Sequence, residues 1–206
     1  MNCRTFRKDI FLFNKMKNDF FVILFAIIVM IVYILSQNYI HDDNKMNCKV
    51  PLYDIIHSIT PDLNQYEYLI NVIILILFIY VVVFERKYFE WYTFIYIFLI
   101  IILLRSVISV VTILPSSHPS CTNGSNGMNF LSYFTGGCND KIFSGHMALL
   151  LLLLLLIKCQ KWKKILIGVL YGILLIITRS HYTVDIIVSI IVTLFVYVSV
   201  KKKIFI

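Results

Sequence analysis

The chain has 206 residues, of which 60% are hydrophobic and 15% charged, and its mean hydropathy is +0.85. A soluble domain of this length cannot bury so much apolar side chain, so the composition excludes an ordinary soluble protein. The net charge of +8 does not indicate nucleic acid as a partner, because the basic residues form short clusters beside apolar runs. With few glycines and prolines and no internal repeat, residues 1–206 are expected to form one domain.

Six apolar runs are long enough to cross a bilayer core of about 30 Å as helices. In chain order they cover residues 20–36, 69–84, 91–114, 142–157, 165–178 and 184–200. The fifth run is short, and Lys163 and Lys164 are expected to complete it by extending their amines outward along apolar stems. The predicted fold is an all-α integral membrane protein with six transmembrane helices and no cleaved signal peptide.

Lysines and arginines cluster at alternate ends of these runs, in residues 4–17, 86–87, 158–164 and 201–203. The positive-inside rule places all four clusters, and both termini, in the cytosol. The remaining loops then face the lumen or the exterior, and all five histidines lie on or near that face. Asn123, in an Asn-Gly-Ser sequence of the 115–141 loop, is thus expected to be available as an N-glycosylation acceptor.

The five cysteines form neither a CxxC pair nor a Cys/His metal spacing, so no metal or other cofactor is expected. Cys48, Cys121 and Cys138 share the oxidising side, whereas Cys3 and Cys159 face the cytosol. One disulfide is therefore predicted among the first three, and Cys121 with Cys138 is the favoured pair.

Polar residues at the outer mouth of the predicted bundle are functional candidates, because polar groups are costly there. The fourth run begins near Ser144-Gly-His146, and Arg179-Ser-His181-Tyr-Thr-Val-Asp185 joins the fifth to the sixth. His181 and Asp185 are four residues apart, so on one helix face the carboxylate can bond one ring nitrogen and leave the other free to attack. His146, at the same depth, can transfer protons. Displacing an alkoxide from a phosphodiester needs such a nucleophile and acid.

These motifs resemble the sphingomyelin synthase family, the lipid-transferase branch of the type 2 phosphatidic acid phosphatase superfamily. The string from His181 to Asp185 is the most specific part, and Pro51-Leu-Tyr-Asp54 and residues 105–115 are also similar. The resemblance implies an exoplasmic site in which His181 forms a phosphohistidine, Asp185 orients it, and His146 protonates the departing diacylglycerol. His146 would then deprotonate the ceramide hydroxyl.

Six further residues are expected to bind the substrate. Arg105 lies inside the third run, where an arginine faces a cavity, extends to the surface or forms an ion pair, for instance with Asp140 or Asp185; phosphate binding is the favoured interpretation. Arg179 is a second candidate phosphate ligand, with simple solvation as the alternative. The others flank the histidines and are Asp140, Ser144, Gly145 and Tyr182.

The chain departs from the hydrolytic branch of that superfamily. Leu175 and Ile176 stand where that branch has a Ser-Arg pair, and Arg105 with Thr112 stand in place of its Lys and Arg. Fewer fixed cations favour a singly charged phosphodiester over a phosphate monoester. The predicted reaction is transfer of a phospho-head group from a glycerophospholipid to ceramide, which releases diacylglycerol.

Several alternatives stay open. Water as the acceptor would make the protein a lipid phosphatase, and diacylglycerol as the acceptor would make it a head-group exchanger. A catalytically inactive scaffold or channel subunit is a different class, which the His/His/Asp set disfavours. The sequence does not decide between choline, ethanolamine and inositol, between Golgi, endoplasmic reticulum and plasma membrane, or between a monomer and a homo-oligomer.

Overall fold

The computed structural model describes residues 3–40, 51–115, 117 and 142–204. Over these ranges the chain forms α-helices and no strands. The helices are α1 Cys3–Ile40, α2 Ile55–Ile59, α3 Tyr68–Tyr80, α4 Trp91–Val111, α5 Gly145–Leu156, α6 Lys161–Ile177 and α7 Thr183–Ile204. A short 3₁₀ helix at Asn64–Tyr66 precedes α3, and a π-helical turn at Val81–Glu85 extends it.

Four helical stretches are long and apolar enough to cross a membrane: Phe20–Ile40, Asn64–Glu85, Trp91–Val111 and Thr183–Lys202. Large apolar side chains stay exposed on all of them, as at Ile76 and Phe195. Exposed apolar surface of this extent is unfavourable in water and favourable in lipid. The described part of the chain is therefore consistent with an all-α integral membrane protein.

Helix ends differ from the predicted runs where local backbone chemistry intervenes. The third run was predicted to reach residue 114, but α4 ends at Val111 and Thr112 is extended, in keeping with the restriction that Pro115 places on the chain before it. The fourth was predicted to begin at residue 142, but α5 begins at Gly145 because the Ser144 hydroxyl caps it by accepting a hydrogen bond from Met147 N.

α5 is the central helix of the bundle and packs against α3, α4, α6 and α7. It has no polar face beyond its first turn, and its buried side chains lie all round it: Met147, Ala148, Leu150, Leu152, Leu153, Leu154 and Leu156. A helix that is apolar all round is stable only when other helices or lipid surround it. His146, the second residue of α5, therefore stands on the most enclosed element of the fold.

Basic side chains gather at one end of the bundle. At one end Lys201 Nζ lies 2.5 Å from Glu90 Oε2, and Lys158 Nζ lies 4.5 Å from the centroid of the Tyr88 ring. The hydrogen bond from Lys201 holds the pKa of Glu90 below its ordinary value. These contacts gather the α3–α4 connection, the α5–α6 connection and the end of α7, which carry three of the four predicted basic clusters. The candidate site lies at the opposite end of α7.

Candidate active site

The turn between α6 and α7 presents His181. α7 begins at Thr183, so His181 precedes the helix instead of lying on it. Asp185, in the first turn, accepts a hydrogen bond from Tyr182 N at 2.9 Å. This bond is one half of a capping box, and it places the carboxylate at the positive end of the helix. Asp185 therefore stabilises the start of α7 as well as facing His181.

The His181 ring and the Asp185 carboxylate are paired and buried. His181 Nδ1 lies 3.6 Å from Asp185 Oδ2, which is an ion-pair distance and longer than a hydrogen bond. The predicted hydrogen bond assumed that both residues share one helical face, and the helix begins too late for that geometry. Because Nδ1 faces the carboxylate, Nε2 is the nitrogen directed away from Asp185.

His146 lies beside His181, with the two ring centroids 6.3 Å apart. Its Nε2 is 3.0 Å from Oδ1 of Asn71 on α3. Because an amide oxygen only accepts hydrogen bonds, this contact favours a His146 ring that carries a proton on Nε2, with Nδ1 on the side away from Asn71. Asn71 was not predicted as a site residue. The signal that could have found it is a lone amide in an otherwise apolar run, which is costly in lipid without a partner.

A pocket of about 310 Å³ opens beside His146, between α1, α3, α4 and α5. Its polar lining comes from Tyr33, Asn71, Arg105 and His146, and the rest of its lining is mainly apolar: Met30, Ile74, Phe98, Ile101, Ile102 and Leu149. A cavity with a few convergent polar groups above an apolar wall suits an amphiphilic ligand. His181 does not line this pocket and lies next to it, beside His146.

Arg105 of α4 lies directly against the start of α5. A Cβ atom built on Gly145 would stand 2.6 Å from Arg105 Nη1 and 3.1 Å from Cζ, so this approach requires glycine. The guanidinium carbon also lies 5.8 Å from the centroid of the Tyr33 ring, within cation–π range. Arg105 and the N-terminus of α5 together place positive charge beside His146.

Gly145→Ala is expected to lower turnover by about tenfold to a hundredfold, because the added methyl displaces the guanidinium and small misplacements of catalytic groups have effects of this size. The displaced atoms are the far end of a flexible side chain, so the backbone need not move. Initial rates and melting temperature of the purified variant measure the effect. Gly168→Ala is the matched control, since a Cβ there meets only Leu154 Cδ1 at 4.0 Å. An equal loss of rate in Gly145→Ala and Gly168→Ala would contradict a specific role for the contact between Gly145 and Arg105 in turnover.

Arg179 ends α6 in a left-handed conformation with φ of 56°. Its Nη2 donates to His57 O at 2.7 Å and to Thr60 O at 2.8 Å, and its backbone oxygen accepts from Ser117. Its Nη1 is buried, and no atom of the described ranges forms a hydrogen bond with it. These contacts make Arg179 a link between α6 and the chain before α3, and its contact with phosphate stays a prediction.

The side chain of Tyr182 connects loops at the same end of the bundle. Its hydroxyl accepts from Leu52 N at 2.9 Å and donates to Pro115 O at 3.3 Å. Its ring stacks on His57, with the centroids 5.8 Å apart. Burial raises the pKa of the Tyr182 hydroxyl. The phenol is thus bonded to backbone on both sides, and its predicted contact with substrate is untested.

Two titratable groups that were not predicted as site residues, His57 and Asp54, lie beside this turn. Burial, together with the nearby Arg179 charge, lowers the pKa of His57 against the opposing effect of Asp54. Burial alone would raise the pKa of Asp54, but hydrogen bonds from Thr183 and from the backbone of His57 and Ile56 bring it below the ordinary value. His57 therefore favours the neutral form and Asp54 the charged form.

Other predicted residues have structural contacts or lie outside the described residues. Ser144 caps α5. Cys159 is a free, exposed thiol. The predicted substrate ligand Asp140, the glycosylation candidate Asn123, and the cysteines of the predicted disulfide, Cys48, Cys121 and Cys138, fall outside the described ranges.

The described helices are consistent with an integral membrane protein, and two histidines lie close together beside a pocket that suits an amphiphile. The family model for the PAP2 superfamily C-terminal matches residues 137–203, which include His146, His181 and Asp185. This match supports membership of the PAP2 superfamily, and with it phosphatase- or phosphotransferase-type chemistry on lipids. It does not single out the sphingomyelin synthase branch. No curated protein matches the chain.

Proposed function

We propose that the protein transfers a phospho-head group from a glycerophospholipid to ceramide and releases diacylglycerol. The observation that carries the proposal is the approach of the His146 and His181 rings, 6.3 Å apart, beside a pocket that is polar at His146 and apolar below. One phosphoryl group can contact both rings at that separation. The apolar wall of Ile74, Ile101 and Leu149 suits a lipid chain.

The first half of the reaction forms a bond between phosphorus and His181 Nε2. The bond between phosphorus and the glycerol oxygen breaks, and His146, which enters this step protonated on both ring nitrogens, gives its Nδ1 proton to that oxygen, so diacylglycerol leaves neutral. Asp185, 3.6 Å from Nδ1, stabilises the positive charge that develops on the His181 ring. Asn71 holds Nε2 of His146, which directs Nδ1 towards the leaving oxygen.

The second half reverses these roles. His146, now neutral, removes the proton from the primary hydroxyl of ceramide, and the oxygen attacks phosphorus. The bond between phosphorus and His181 breaks, which regenerates the free histidine and yields the ceramide phospho-head-group lipid. The proton and the phosphoryl group are both accounted for, and no metal or redox partner takes part in this scheme.

Charge favours a phosphodiester as the donor. Arg105 is the cationic side chain among the pocket-lining residues within the described ranges, and it matches the single negative charge of a phosphodiester better than the two of a monoester. Leu175, at the position of the hydrolytic branch's polar pair, is fully buried against Met147 and Tyr171. A buried leucine there adds no ligand for a second phosphate charge.

The proposal includes a topology and a location. Six spans, with α5 and α6 added to the four long apolar stretches, place both termini and the basic clusters in the cytosol and the histidines on the lumenal or exterior face. The enzyme then acts in the Golgi, the endoplasmic reticulum or the plasma membrane. Its partners are the membrane lipids ceramide, glycerophospholipid and diacylglycerol.

Product analysis of the purified protein tests this function. With phosphatidylcholine or phosphatidylethanolamine and ceramide, we expect the ceramide phospho-head-group lipid and diacylglycerol in near-equal amounts by mass spectrometry. Leaving out ceramide should slow donor consumption, because the site then depends on water. His181→Ala protein prepared in parallel controls for contaminating activity.

The opposite product pattern would identify a phosphatase. Rapid release of inorganic phosphate from phosphatidic acid, with no ceramide product from any donor, would overturn the transferase proposal and keep the same histidines as a hydrolytic pair. A head-group exchanger would instead consume diacylglycerol and leave ceramide untouched, which equally overturns it.

A further inference from the structure

The segment of residues 51–60, here called the docking segment, packs against the α6–α7 turn that carries His181. It lies outside residues 137–203, and the reaction proposed above uses none of its side chains. Its hydrogen bonds to the turn nevertheless join parts of the chain that are far apart in sequence. On the docking segment, these bonds involve the side chains of Asp54 and His57 and the backbone of Leu52 and Thr60.

Asp54 caps two helices with one carboxylate. Oδ1 accepts from Ile56 N at 2.9 Å and from His57 N at 3.3 Å, which caps its own helix α2. Oδ2 accepts from Thr183 N at 2.7 Å, and Oδ1 also accepts from Thr183 Oγ1 at 3.0 Å. Thr183 is the first residue of α7, so a carboxylate from a remote segment satisfies an exposed donor at that helix start.

The backbone on either side of this cap is also held. His57 Nε2 donates to the backbone oxygen of His181 at 3.2 Å. Arg179, two residues earlier, donates to His57 O and Thr60 O. The docking segment therefore contacts Arg179, His181, Tyr182 and Thr183 in succession.

These bonds matter because His181 lies before the helix. His181 precedes the first residue of α7, and Arg179 adopts a left-handed conformation that non-glycine residues keep only when surrounding contacts hold it. Arg179 is held in this conformation because its guanidinium donates hydrogen bonds to His57 O and Thr60 O of the docking segment. The position of the His181 ring beside His146 thus depends on contacts from residues 51–60.

We propose that Asp54 is a positioning residue for the reaction, which acts through Thr183 to set the place of His181 against His146. This inference rests on the proposed role of His181 as nucleophile. Asp54 has no proposed contact with substrate, because both of its carboxylate oxygens accept hydrogen bonds from Ile56, His57 and Thr183. Its effect is on the rate of the chemical step and not on the binding of the lipid donor.

Asp54→Asn tests the inference, because an amide offers one accepting oxygen where the carboxylate uses two. With wild-type protein as reference, we expect kcat to fall about tenfold to a hundredfold, while KM for the donor stays within about twofold of wild type. Asp62→Asn is the matched control: Asp62 accepts a hydrogen bond from Asn64 N in the same part of the chain, and its variant should keep wild-type kcat. Rates are measured well below the melting temperature of each variant.

A pair of changes at Thr183 separates positioning from general stability. Thr183→Ser keeps the hydroxyl that donates to Asp54 and should retain wild-type kcat. Thr183→Val removes it and should lower kcat without changing KM. If Asp54→Asn does not fold, this pair decides the question by itself.

The outcomes are distinct from those of the proposed function. Wild-type kcat in Asp54→Asn, or equal kcat in Thr183→Ser and Thr183→Val, would overturn the positioning role and leave transfer intact. Wild-type protein that hydrolyses lipids without transferring a head group would overturn the proposed function. The same comparison of kcat, made on hydrolysis, would then still decide the role of Asp54.

Discussion

His181→Ala is expected to lower turnover by on the order of 10⁴-fold or more, since it removes the atom that attacks phosphorus and such losses are not compensated by neighbouring groups. The side chain is almost fully buried, with 7% of its surface exposed, so melting temperature must be measured alongside. Trapping of labelled phosphoenzyme from a radioactive donor is the direct measurement. No label should appear in the variant.

His146→Ala provides the matched comparison, because it removes the proposed acid and keeps the nucleophile. A donor with a far more acidic leaving group, such as a nitrophenyl phosphodiester, needs no proton at the leaving oxygen. That donor should restore phosphoenzyme formation in His146→Ala and not in His181→Ala. Rescue of both variants, or labelled protein in His181→Ala, would exclude His181 as the nucleophile.

Arg105→Met is expected to lower turnover by about 10² to 10³-fold, or about 3 to 4 kcal/mol in the barrier, which is typical for removal of one preorganised charge-stabilising group. Methionine keeps much of the apolar stem that packs between α1 and α5, and removes the charge beside Gly145. Arg105→Lys should be intermediate, since an ammonium keeps the charge without the planar donors. Initial rates with a phosphodiester donor measure all three proteins.

Arg86→Met is the control for this series. Arg86 lies at the opposite end of the bundle, and the bond that involves it comes from Trp91 Nε1 to its backbone oxygen, so the substitution leaves that contact in place. We expect its turnover to match wild type. Wild-type rates in Arg105→Met would remove Arg105 from the phosphate site.

Apolar run length was enough to predict most helices. Motif spacing predicted that His146 and His181 lie near each other, and their rings are 6.3 Å apart, while their catalytic role stays a prediction. α4 and α7 begin within a residue of the predicted runs, because charged or polar residues flank both. The start of α5 was not predictable from hydropathy, because Ile142 and Phe143 are apolar and the Ser144 cap decides the boundary. Hydropathy also does not reveal capping contacts at the start of α7. The hydrogen bond from Tyr182 N to the Asp185 carboxylate was therefore not predicted.

Contacts between residues that are far apart in the chain could not be predicted from the sequence. Asn71 meets His146 across 75 positions, and Asp54 meets Thr183 across 129. Neither pair has a spacing that a helix or turn would produce, and each depends on how α3 and the docking segment pack against the bundle. Pattern reading finds residues that carry chemistry; it does not find the partners that tertiary packing brings to them.

The short length of α5 affects the depth in the membrane at which His146 lies. Twelve residues make a helix of about 18 Å, well short of the roughly 30 Å of hydrocarbon in a bilayer. On the proposed topology its far end adjoins Lys158 at the cytosolic interface, so His146 lies recessed among acyl chains, below the level of the opposite head groups. On the proposed function and topology, a donor would then have to bring its phosphate down into a poorly hydrated recess, where bulk water competes less well with a lipid hydroxyl as the acceptor.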